Sequence, residues 1–235
     1  MDKEISTNID LMVRSIVAGI AHCDNLLADQ NALLTHAAER LAGRLGSNGS
    51  NHSAPCTMEA LHKGERAAVM IRNLELLSRC PPLERNEWLR ATLALDALIS
   101  GIDDILHESD ALGLGPDPQL ASMGNLLLAA AAALANGFAL LSNRKANITS
   151  HAMNISERVA AIEECYVQST RDLLAPERWN GQVTTGMVLV MIRTWTIHRC
   201  LIDVKRQMET ARDAMLALAA VRKRNLGRKA LRLQP

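Results

Sequence analysis

The densest line of groups able to do chemistry lies in residues 96–110. Asp96, Ser100, Asp103, His107 and Asp110 are spaced four, three, four and three apart, so on an α-helix they share one line. Asp104 and Glu108 flank it. Stacked carboxylates repel each other. They persist where water solvates them, where a cation neutralises them, or where basic residues of another helix pair with them. The spacing alone allows all three arrangements.

Two acid-x-x-His pairs follow the same logic. Glu59 with His62, and Asp104 with His107, each place a carboxylate one turn from an imidazole. One such pair on each of two helices is how ferritin-like bundles hold two irons. The two further inward glutamates this needs are not identifiable, so a di-iron-type metalloprotein stands as one alternative function, beside a generic dimeric signalling or scaffold bundle. Iron or another divalent metal is the cofactor such sites would take, and no other cofactor is indicated.

Signals for catalysis are weak. No Ser or Cys nucleophile stands beside an identifiable base. Cys200 reads as a small core residue, and His198, near Trp195 and Arg193, as structural. No glycine-rich phosphate loop, G-x-S-x-G elbow or H-E-x-x-H occurs. The expectation is a non-enzymatic protein with no catalytic residues.

The elements that must position these groups are helical. The chain has 235 residues, 48% apolar but only 2% aromatic. That disfavours β-sandwiches and barrels and leaves little for stacking on bases. Ala, Leu, Met, Glu and Arg dominate, and they favour helix. Net charge is +1, unevenly spread. Residues 222–235 carry six Lys/Arg and no acid, leaving 20 basic and 25 acidic residues elsewhere. An acidic body is not a nucleic-acid-binding domain. The basic tail is expected to be a solvated end, open to an RNA, an acidic partner or peripheral contact with an anionic membrane. Five cysteines with no C-x-x-C indicate neither a disulfide framework nor a zinc knuckle. Reduced thiols, a polar start (MDKEISTNID) and no secretory pattern point to the cytoplasm.

Periodicity predicts six helices. The first carries Ile9, Val13, Ile16, Ile20, Cys23, Leu27, Leu34 and Leu41 and ends at the loop 46–55. The second runs over about 57–79 to Pro81-Pro82. The third starts near Leu83, with Leu95, Leu98, Ile102, Ile105 and Leu106 as its apolar side, and ends at GLGPDP, 113–118. Residues 118–143 carry no charge and are long enough to cross a bilayer. Alanine gains little from lipid, and Asn125, Asn136 and Gly137 interrupt the run, so a helix buried on all sides within a bundle is expected. A fifth helix covers 149–174. The last covers 183–222, with Ile197, Leu201, Val204, Met208, Ala211, Met215 and Leu218 alternating steps of four and three. Lys205 and Glu209 pair on its outside. Its partner helix lies in this chain or in a second copy. The fold class is all-α: an elongated antiparallel bundle of about six long helices, one domain over residues 1–221 followed by the tail.

Residues 75–104 (ELLSRCPPLERNEWLRATLALDALISGIDD) resemble the signature of the PhoU-like family. The likeness is to its branch of accessory proteins for low-affinity inorganic phosphate transporters. Pro82, Glu84, Arg85, Glu87 and Asp96 follow that signature's order and spacing. Segments 162–174 and 197–216 resemble the start and the closing helix of the family's second repeat. The resemblance implies two three-helix repeats, about 5–112 and 118–221, in a cytoplasmic and often dimeric protein. It implies regulation of phosphate uptake or signalling by contact with a membrane transporter or sensor. The family binds clustered metals through E-x-x-x-D motifs, and here those motifs are degenerate. Ala97 and Ser100 replace acids, Val167 and Gln168 follow Glu163 and Glu164, and His198 and Ile202 occupy the closing pair. A surviving metal site would use Glu65, Asp96 and Asp103.

Overall fold

Helix starts and stops are written in local chemistry. In the computed structural model, described at residues 27–46, 64–72, 75, 82–114, 117–142, 147–175 and 184–232, all regular structure is helical. α1 (27–46) and α2 (64–72) precede α3 (Pro82–Ala111), α4 (Pro118–Ala139), α5 (Ile148–Leu174) and α6 (Thr185–Arg232). α3 begins on Pro82, which needs no amide partner in a first turn. It ends in a Schellman cap. Gly113 takes φ 58°, and the amides of Gly113 and Leu114 donate to the carbonyls of Asp110 and Ser109. Four residues on, the Asp117 carboxylate accepts from the amides of Gln119 and Leu120 at 2.8 and 3.0 Å and opens α4 with Pro118 behind it.

The apolar rows read from the sequence are the core. Leu95, Leu98, Ile102, Ile105 and Leu106 of α3 are buried, as are Leu27, Leu34 and Leu41 of α1. All seven residues of the α6 row are 1% exposed or less. The rest of the first helix's row, and the second helix outside 64–72 and 75, lie beyond the described residues.

Side-chain contacts give the helix directions. Gln30 Nε2 donates to the Thr92 carbonyl and Arg44 reaches Asp110, so α1 and α3 run parallel. Arg66 meets Asp96 while Arg72 meets Asp29, so α2 runs against both. α6 runs against α3, with Arg222 at Glu84 and Val204 at Gly101. α5 runs against α6, with Lys205 at Glu163 and Arg212 at Ser156. α4 runs against α5, with Ser122 at Cys165 and Gly137 at His151.

Two expectations need correction. The uncharged helix is not buried on all sides. Leu120, Met123, Leu127, Ala131 and Leu134 are buried, but Ser122, Asn125 and Asn136 open outward, and half of its most apolar stretch is covered. It is the one described helix long and apolar enough to cross a membrane. The second correction concerns α6. It continues ten residues beyond Arg222, to Arg232, and Arg222 itself is buried within the bundle. Lys and Arg form helix readily, and they sit favourably at its negative C-terminal end.

α3 and α6 approach closely at Gly101. A Cβ there would meet the Gln207 side-chain oxygen and lie 2.9 Å from Val204 Cγ2. Gln207 can swing away. Buried, β-branched Val204 cannot. Gly101→Ala should therefore cost about 1–3 kcal/mol of overpacking, only partly offset by about 1 kcal/mol of helix propensity. A lower urea midpoint at unchanged m-value checks this. Gly137→Ala should be milder, because its Cβ meets the flexible end of Met215.

Candidate functional site

The acidic line of α3 meets arginines. Arg66 on α2 donates from Nε to Asp96 Oδ1 at 2.7 Å and from its second amino group to Asp96 Oδ2 at 3.4 Å. Asp103, two turns along, lies 3.7 Å from the same guanidinium. The forked guanidinium suits this, because it offers parallel donors to one carboxylate while its charge reaches the next. The hydrogen bond that Arg66 donates to Asp96, with charge from Asp96, Asp103 and Asp104, holds the Arg66 pKa above its ordinary value despite partial burial. Further along, Arg44 of α1 binds Asp110 at 2.6 Å and the Ser109 carbonyl at 3.2 Å.

Of the three arrangements open for this line, the structure therefore displays pairing with basic residues of other helices. Of the three candidate metal ligands, it brings Asp96 and Asp103 together on Arg66 and leaves Glu65 exposed. Asp104 and His107 are exposed on α3, and Glu59 and His62 lie outside the described residues. Among the described residues no group of three or more His, Cys, Asp or Glu side chains is placed to hold a metal ion. Arg66→Ala should remove the positive charge that Asp96 and Asp103 share. The half-open setting limits the cost to about 1–2 kcal/mol. That loss should shrink in the Arg66→Ala, Asp96→Asn double variant, measured by urea unfolding.

Glu84 is more deeply placed than Asp96. Glu84 and Arg222 pair at 3.3 Å with side chains 4% and 9% exposed. The Arg222 guanidinium also lies over the Trp88 ring, 5.2 Å from its centroid. Arg85 is exposed, and Glu87 binds Arg90 at 2.9 Å on the surface. Glu84 and Asp96 thus face α6 and α2. No family model matches the chain, and no curated protein matches it significantly.

Sequence reasoning missed both arginine partners. For Arg222 a signal existed, since four residues after Leu218 is the next position of the α6 row. For Arg66 none did, because its partner depends on how two helices align.

At the far end of α3, His198 of α6 is fully buried. Its ring meets Tyr166 of α5 edge-on at 6.1 Å, and neither ring nitrogen has a hydrogen-bond partner. Burial lowers its pKa, with the Asp117 carboxylate pulling the other way. Burial, helped by Glu108 and Asp203, pushes the nearby Cys200 thiol up, the wrong direction for a nucleophile. On the α5–α6 face, Lys205 binds Glu163 at 2.7 Å and Glu209 at 3.5 Å. These contacts raise the lysine pKa and lower that of exposed Glu163.

Proposed function

We propose that this chain is a non-enzymatic regulator of inorganic phosphate transport of the PhoU-like kind, acting from the cytoplasmic side by contact with a membrane transporter or sensor. The observation that carries the reading is the order and spacing of Pro82, Glu84, Arg85, Glu87 and Asp96 along α3. Two of these acids are engaged by arginines of α2 and α6. In this reading the signature clamps helices together and leaves their outer faces for recognition. The up-and-down order of the helices suits an elongated bundle of two three-helix units, α1–α3 and α4–α6; the working form proposed is a homodimer.

Phosphate uptake in a strain lacking the protein, with affinity co-purification from the parent strain, tests the proposal. Altered uptake and recovery of a phosphate permease or its sensor are expected. Unchanged uptake with no such partner would defeat it.

A further inference from the structure

We infer that the leading end of α6 is a membrane-surface anchor that dips into the interfacial region of an anionic bilayer. The helix pairings place this end outside the bundle. α6 is level with the last turns of α3 at Cys200, where Glu108 and Asp104 act on the thiol, and with the start of α4 at His198, where Asp117 acts on the ring. Residues ahead of Thr194 therefore run past both neighbours. They are apolar and open. Val190 is 56% exposed, Ile192 54%, Leu189 47% and Val188 39%.

The distribution around the helix argues for lipid rather than a single helical partner. At 100° per residue, Val188 and Ile192 lie near one another, Leu189 lies a quarter-turn away and Val190 faces nearly the opposite side. A partner helix covers one stripe, whereas acyl chains cover every side. The edge of the patch has interfacial chemistry. Trp195 is 45% exposed, with the Arg199 guanidinium 6.0 Å from its ring centroid. Tryptophan and arginine favour the headgroup boundary, where the ring is half wet and the cation meets phosphate. Arg193 and Arg199 are the charged residues of 184–202, which contain no acid, so the collar complements anionic headgroups. From Val188 to Trp195 the helix rises about 10 Å, enough to enter one leaflet and too short to span the bilayer. Leu174, at the end of antiparallel α5, is 65% exposed at the same end of the bundle.

The inference stands apart from the phosphate reading, since vesicle binding can be found whether or not uptake changes. The test is co-sedimentation of the full-length protein with phosphatidylcholine vesicles with and without phosphatidylglycerol. Binding to the anionic vesicles is expected, with quenching of Trp195 by bromolipid that Trp195→Phe removes. The Val190→Asp, Ile192→Asp double variant should lose about tenfold or more of the partitioning. It should retain the far-ultraviolet helical signal, because both positions are open. Arg228→Gln with Lys229→Gln, in the basic tail, should leave binding in place. Absent binding, binding indifferent to the Val190/Ile192 substitutions, or binding lost with the tail substitutions would overturn the inference. So would a dimer in free solution that the Val190/Ile192 substitutions dissolve, since a second copy would then be the occupant.

Discussion

Glu84→Ala should destabilise the protein by about 3–5 kcal/mol, the cost of leaving the Arg222 charge buried without its carboxylate. The pair joins residues 138 positions apart, so it ties the start of α3 to the far part of α6. The cost is asymmetric. A buried ion pair contributes little over an apolar pair of similar volume, but one partner alone is strongly unfavourable. Glu84→Leu combined with Arg222→Met should therefore recover most of the loss, with the methionine packing over Trp88 where the guanidinium now lies. Urea unfolding of the two single variants and the double variant gives the coupling energy. A double variant as unstable as the sum of the singles would show that the two side chains act separately.

Acidification should weaken the fold through His198. Burial holds its folded-state pKa below the ordinary 6.5, and no hydrogen bond receives a proton on either nitrogen. Below about pH 6.5 the unfolded chain takes up a proton that the folded chain refuses. Its contribution is thus fully present above that pH. It is lost as pH falls, at up to about 1.4 kcal/mol per unit, until the folded-state value is reached. Asp117 moderates the loss and Tyr166 offers only a ring edge. His198→Phe keeps an aromatic ring against Tyr166 and removes the titration. The slope of stability between pH 6.5 and 5 should therefore flatten in the variant. Equal slopes in the two proteins would place the acid sensitivity elsewhere.

The core of this fold was readable because two rows keep strict time. On α3, positions 84, 88, 91, 95, 98, 102 and 105 alternate steps of four and three, and all are buried. On α6, positions 197 to 218 do the same, and 222 continues them. Glu84 and Arg222 look like surface charges by type, but their places in the rows put them inside. The uncharged helix was harder, since a run of alanines has no period. Its open side is marked by Ser122, Asn125 and Asn136, three polar residues that fall on one line. The acidic face of α3 was legible as a line of carboxylates, yet its outcome depended on Arg66. That arginine reaches Asp96 only because α2 runs against α3 at a particular height, a fact of alignment between helices rather than of spacing within one.

α6 is a single rod of 48 residues with no proline in it, about 72 Å long. A stiff body of that length works as a lever. Pivoting by about 5° at one extremity carries the other through about 6 Å, more than one helical turn. Whatever grips either extremity is therefore felt at the opposite pole as a displacement, with no refolding in between.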